Sequence, residues 1–218
     1  MRKLEPKLQN YIDLLIRRYS ILEYVKNDII NAYFIMEECY ENGGKLLVAG
    51  NGGSAADSEH IVGELMKSFK IARPVTQEYA DELIRIDSKR GAELARKLER
   101  TLMAIPLVAN EALTTAYLND VDGLGVFAQQ LMGYGKRGDV FLAISTSGNS
   151  RNIMNAPVVA RASGIKIIGL TGKNGGELGM VSDVAIKVPE EETYMIQELH
   201  LPIYHCLCLM LEDNFFGK

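Results

Sequence analysis

Cysteine is scarce in this chain: Cys39, Cys206 and Cys208 are the only three in 218 residues. So small, odd and irregular a set excludes a disulfide framework. Cys206 and Cys208 fall in an apolar run, where buried free thiols are expected in preference to a two-cysteine metal clip. Long apolar stretches are missing as well. None approaches about 18 consecutive residues, so no membrane span is expected. The first 20 residues alternate charge with apolar side chains and offer no core for a signal peptide, which makes the cytoplasm the expected compartment. An excess of positive charge is also absent: 24 Lys and Arg face 28 Asp and Glu, a net charge of −4. A mildly acidic chain has no global electrostatic claim on nucleic acid or anionic lipid, so neither is expected as a direct partner. What is present is ordinary globular composition, 47% hydrophobic and 24% charged, enough for one compact domain over 1–218.

Apolar positions recur at helical spacing through 1–41. Leu8, Ile12 and Leu15 mark a first helix, and Ile29, Tyr33 and Met36 a second, with a break near Ser20 and a stop at Asn42-Gly43. From 45 to 213 the pattern changes. Continuous apolar runs at 45–49, 140–144, 166–170 and 184–188 read as buried strands, and 104–108 as a fifth that its proline weakens. Helical stretches at 54–69, 123–136, 150–163 and 195–213 separate them, with Pro202 expected to bend the last. Such alternation predicts an α/β fold, a parallel sheet covered by helices on both faces. Residues 70–102 are dense in charge and read as a solvated helical insertion with pieces at 77–86 and 90–101.

Two strand ends carry unusual loops, each directly before a helix: Gly50-Asn51-Gly52-Gly53-Ser54 and Ser145-Thr146-Ser147-Gly148-Asn149-Ser150. Ligands of open α/β sheets bind at the carboxyl ends of strands, where helix N-termini offer free N–H groups to anions. Glycine permits close approach and hydroxyls add donors. The loops lack both the lysine of a nucleotide P-loop and GxGxxG, so a small phosphorylated metabolite is favoured over a nucleotide cofactor. Capping and turning are the plainer roles for the same residues; the parallel placement of two such loops favours binding. Lys173-Asn174-Gly175-Gly176 is read as a structural turn.

The chain has three histidines. His60 and Glu64, at i and i+4, share a helix face. Gln197, Glu198, His200 and His205 lie on the last helix, with Gln197 and His205 turned about 80° apart. His60, Glu64, Gln197 and His205 are N/O donors of the kind that hold a divalent metal, zinc among them. Alone the HxxxE pattern is weak, and His200 is read as structural.

These residues together give the chain its resemblance to the sugar isomerase (SIS) domain family, and within it to the phosphoheptose isomerases. The carrying segments are GNGGSAADSEHIVGEL at 50–65, Leu118-Asn119-Asp120, ISTSGNSRNI at 144–153, GLTGKNGG at 169–176 and IQELHLPIYH at 196–205. The resemblance implies a five-stranded parallel sheet between helices and a homotetramer with sites shared between subunits. It implies isomerisation of sedoheptulose 7-phosphate to D-glycero-D-manno-heptose 7-phosphate through an enediol. It further implies phosphate binding by Ser145, Thr146, Ser147 and Ser150, and substrate contacts from Asn51, Gly52, Gly53, Ser54, Glu64, Asn119, Asp120 and Gln197. Glu64 and His205 correspond to the catalytic pair, and His60, Glu64, Gln197 and His205 to the zinc ligands of some members. A non-catalytic sugar-phosphate sensor, and an isomerase or lyase for another sugar phosphate, are the alternatives. The 70–102 segment is longer than its counterpart in the usual members.

Overall fold

The computed structural model describes residues 3–217. Helix α1 (Pro6–Arg18) opens with proline at its first position, where no N–H bond is lost. A 3₁₀ turn over Ser20–Val25 leads to α2 (Lys26–Glu41), which ends at Gly43 in the left-handed conformation, φ +72°. The five strands are β1 (Leu46–Ala49), β2 (Ala104–Pro106), β3 (Val140–Ile144), β4 (Lys166–Thr171) and β5 (Val184–Lys187). All pair in parallel in the order β2-β1-β3-β4-β5. The proline-containing run is the short edge strand, the one place in a sheet where a missing N–H is tolerated.

Alternate residues of each strand feed two cores. Leu46 and Val48 of β1, with Val140 and Leu142 of β3, pack under α1, α2, α3 (Gly53–Met66) and α10 (Thr193–Phe216). Leu47, Ala49, Phe141 and Ala143 face α7 (Val126–Tyr134) and α8 (Arg151–Ser163). Helix α10 runs unbroken through Pro202, which is buried, and Cys206 and Cys208 are buried thiols on it. No helix among the described residues is long and apolar enough to cross a membrane.

The charged insertion is a helical hairpin, α4 (Gln77–Ile86) and α5 (Ser88–Lys97). The second piece begins two residues before 90 because Asp87 caps it, accepting from the N–H groups of Lys89 and Arg90. The two helices pack on each other, so closely that a Cβ on Gly91 would lie 2.0 Å from the Leu83 carbonyl oxygen. Ile86 and Tyr79 remain exposed. The hairpin's roots meet in an antiparallel bridge between Pro74 and Glu99. They are fastened by Arg73 and Glu212, both fully buried and paired at 2.7 Å. Glu212 also accepts from the N–H groups of Phe69, Lys70 and Ile71, while Arg73 donates to the carbonyls of Glu64 and Leu65 at the end of α3. The short helices α6 (Glu111–Tyr117) and α9 (Leu178–Val181), and the π-helical turn Leu118–Asp122, carry no periodic signal that announces them.

Candidate functional site

The chain leaves β1 toward one sheet edge and returns to β3 on the other side, so the two central strands flank a switch point. The glycine and serine loops sit at their carboxyl ends. Between them is a hollow of about 340 Å³ walled by Asn51, Gly52, Gly53, Ser54, Ser145, Thr146, Ser150 and Gln197. Neither N-cap residue spends a side chain on its helix: Gly52 precedes α3, and Ser150 precedes α8 without capping it, although Asn152 Oδ1 accepts from the Ile153 N–H in the first turn of α8. The hydroxyl of Ser145 donates to that of Ser150 at 3.2 Å, and Ser147 Oγ accepts from the Asn149 N–H, a turn contact. Uncapped N–H groups and hydroxyls around a polar hollow suit an anion.

The loop's shape rests on its neighbour. Gly148 has φ +67°, and a Cβ there would lie 2.0 Å from the carbonyl oxygen of Gly175. The Leu178 N–H donates to the Gly148 carbonyl, and the Glu177 N–H to Asn149 Oδ1. The third glycine turn is thus the buttress of the serine loop. Gly53 has a comparable reason: a Cβ would meet the Gln197 carboxamide at 2.8 Å.

Helices α3 and α10 run side by side away from this hollow. Seven residues beyond Gly53, about 10 Å along the axis, stands His60. Its Nε2 lies 3.2 Å from Glu64 Oε1 and 3.5 Å from His205 Nε2. Lys67 Nζ lies 3.3 Å from the other Glu64 oxygen. The ring of His205 packs on Phe69, Tyr204 and His60 at centroid distances of 5.4, 5.1 and 5.0 Å. Burial, with the neighbouring His60 ring next in weight, lowers the basicity of His205 below the ordinary imidazole value.

The structure therefore gathers His60, Glu64 and His205, and separately gathers the two loops with Gln197. Gln197 makes its close approach at Gly53. Asn119 and Asp120 lie on the exposed 118–122 turn, hydrogen-bonded to each other at 2.8 Å, outside the hollow. Sequence reasoning missed Asp57 and Tyr204, which pack behind His60. The spacing of Asp57 three residues before His60 on one helix was the available signal.

The zinc of the resembling family can be tested against this donor set. Zinc–nitrogen bonds of about 2.0–2.1 Å in a tetrahedron give donor separations of roughly 3.3 Å. The His60–Glu64 and His60–His205 distances, 3.2 and 3.5 Å, match two such edges. Among the described residues no group of three or more His, Cys, Asp or Glu side chains is placed to hold a metal ion, so the trio as it stands does not form a complete site. The fit is thus one of donor chemistry and of two edges, with two imidazoles and a carboxylate presented together.

His200 has a different place. It is fully buried on α10, and neither ring nitrogen finds a hydrogen-bond partner. Burial pushes its pKa down to about 4, with the Thr171 backbone partly offsetting that. The unfolded chain therefore takes up this proton first, so stability is full above the unfolded value of 6.5 and declines toward about 4. The expected loss from this ring is about 3 kcal/mol. Urea unfolding at a series of pH values should show that slope in the wild type and a flatter one in His200→Leu; equal slopes would remove His200 as its source.

Residues 10–172 match the SIS domain family. The chain is 38% identical to a phosphoheptose isomerase of Aneurinibacillus thermoaerophilus, over 82% of this chain and 77% of that one. It is 34% identical to the phosphoheptose isomerase of Coxiella burnetii, over 93% and 90%. A solved phosphoheptose isomerase from Francisella tularensis superposes with a TM-score of 0.74 at 31% identity, covering 95% of this chain and 97% of the other.

Proposed function

Because the chain belongs to the SIS-domain family and, within it, to the phosphoheptose isomerases, we propose that it interconverts sedoheptulose 7-phosphate and D-glycero-D-manno-heptose 7-phosphate through an enediol. The observation that carries this reading is spatial. A hydroxyl-lined anion hollow lies at the start of one helix pair, and an imidazole–carboxylate group lies two to three turns further along it. A sugar held by its phosphate in the hollow presents its carbonyl end toward that group.

Ser145, Thr146, Ser147 and Ser150 hold the phosphate, with the N–H groups opening α3 and α8 and the loop residues Asn51, Gly52, Gly53 and Ser54. Gln197, beside Gly53, is assigned to the sugar chain, and Asn119 and Asp120 to its outer hydroxyls. Glu64 takes the proton from one carbon of the C1–C2 pair and returns it to the other. His205, whose basicity burial and the His60 ring lower, accepts the hydroxyl proton on one oxygen and gives it to the neighbouring carbonyl oxygen. No atom is gained or lost. Each transfer is general acid–base catalysis. A metal-assisted reaction is a distinct reading: His60, Glu64 and His205 would hold a zinc ion, which would supply Lewis-acid polarisation of the carbonyl oxygen, and Glu64 would then be a ligand and not the free base. The homotetramer implied by the family accords with an open apolar groove between α1 and α10, where Leu14 and Leu201 are exposed beside His205.

The test is conversion of sedoheptulose 7-phosphate to the aldose by the purified protein, repeated with Ser150→Ala. Loss of a hydrogen bond to a charged group should raise KM roughly ten- to a hundredfold, with a smaller effect on kcat. A wild-type protein that binds the sugar phosphate without turning it over would point to a sensor instead. An unchanged KM in Ser150→Ala would remove the loop from phosphate binding.

A further inference from the structure

The α4–α5 hairpin takes no part in the chemistry assigned above. Each of its helices has ten residues, a length at which an isolated helix is marginal and needs its apolar stripe covered. Yet no residue of α4 is buried, and on α5 only Gly91 is. Tyr79, Ile84 and Ile86 on α4, and Leu94 with the capping Leu98 on α5, stay exposed, Ile86 at 70%. The two helices pack mainly on each other and leave these side chains facing outward. We infer that the exposed face is covered by the same hairpin of a second copy of this chain, α4 lying on the partner's α5 and α5 on its α4, as a four-helix bundle.

The charges select that occupant. Helix α4 carries Glu78, Asp81 and Glu82 against a single Arg85, whereas α5 carries Lys89, Arg90, Arg96 and Lys97 against a single Glu93. The ion pairs of the hairpin stay within one turn: Glu82 with Arg85, Asp87 with Arg90, and Glu93 with Lys97. Among the described residues none crosses from α4 to α5, so the opposite signs of the two helices are not spent on each other. A surface of one sign, such as anionic lipid or nucleic acid, would attract α5 and be repelled by α4. The fitting surface carries both signs side by side in reversed order, and a twofold rotation about an axis parallel to the helices supplies it from the chain itself. The apolar stripes agree. Tyr79, Leu83 and Ile86 recur at i, i+4 and i+7 with Glu78 and Glu82 beside them, and Arg90, Leu94 and Lys97 recur likewise on α5. The close approach of Gly91 to Leu83 and Ile84 fixes how the helices are turned, and on ideal helices both stripes then fall on one side of the hairpin. In the pair, apolar residues meet at the centre and each acidic rim meets a basic one. A twofold axis across the helices would instead set α4 on α4, carboxylates against carboxylates. The inference is independent of the isomerase reading.

The experiment uses the full chain. A Tyr79→Cys copy and a Leu94→Cys copy are co-expressed, purified together and exposed to a mild oxidant; the native Cys39, Cys206 and Cys208 are buried and do not compete. A disulfide joining the two different copies, identified by mass spectrometry of the linked peptides, is expected. Sedimentation velocity of charge variants is the second arm. Glu78→Lys with Glu82→Lys makes both helices basic, and Arg90→Glu with Lys97→Glu makes both acidic. Each variant alone should raise the dissociation constant of the association step roughly tenfold or more. Their equimolar mixture should restore wild-type association, because each basic helix then meets an acidic one. A variant that loses helix by circular dichroism is set aside, and the cross-link decides alone. Absence of the mixed disulfide overturns the inference, as it would if the hairpin sat on the body of another subunit or on a different protein. A disulfide formed as readily between two Tyr79→Cys copies, the α4-on-α4 arrangement, overturns it too, as do folded charge variants that associate like the wild type.

Discussion

Glu64→Gln should lower kcat for the sugar-phosphate isomerisation by roughly 10²–10⁴-fold, the range expected when a general base is removed, while KM changes little. The amide keeps the shape of the carboxylate and can still face His60 and Lys67, which now stand 3.2 and 3.3 Å from its oxygens. It cannot accept a proton from carbon. The phosphate hollow, about 16 Å back along α3, is left intact, so substrate capture continues. Steady-state kinetics in both directions, with solvent-proton exchange into the sugar as a second readout, would check this. A variant with wild-type kcat would leave the reaction without the base assigned to it.

The largest expected loss of stability follows from Glu212→Gln. Glu212 and Arg73 are both fully buried, and the carboxylate satisfies three backbone N–H groups as well as the guanidinium. Removing one partner of a buried pair leaves the other charge uncompensated, at a cost of about 3–5 kcal/mol. For a chain of this size that corresponds to a fall in Tm of roughly 6–20 °C. Arg73→Met with Glu212→Leu should recover part of the loss by removing both charges. It should not recover all of it, because the N–H groups of Phe69, Lys70 and Ile71 would have no acceptor. Calorimetry of the two proteins distinguishes these outcomes; a single variant as stable as the wild type would show that the pair contributes nothing.

Most of the sheet was legible because its strands are apolar runs bounded by glycine and polar residues. The runs at 140–144 and 166–170 match β3 and β4 to within a residue. The hairpin was legible too, through its charge density and helical spacing, although its second helix starts two residues earlier, at the Asp87 cap, and ends four residues earlier, at Lys97, than the expected 90–101. The loops announced themselves through composition, yet nothing in their composition says that Gly148 and Gly175 touch. That contact joins residues 27 apart, and only the pairing of β3 with β4 brings them together. The same limit hid Tyr204 behind His60 and Glu212 beneath Arg73. In each case one partner looks like an ordinary helical residue until α10 is laid along α3. His200 was read from the sequence as structural, and its complete burial accords with that.

The bridge between Pro74 and Glu99 sets the two roots of the α4–α5 hairpin side by side. Topologically, the detour between them enters and leaves by one doorway. Its length and wording can drift without altering the register of any strand or the seat of Glu64. A lineage can therefore remodel this appendage, and with it whatever the appendage meets, while the chemistry of the enzyme beneath is inherited unchanged.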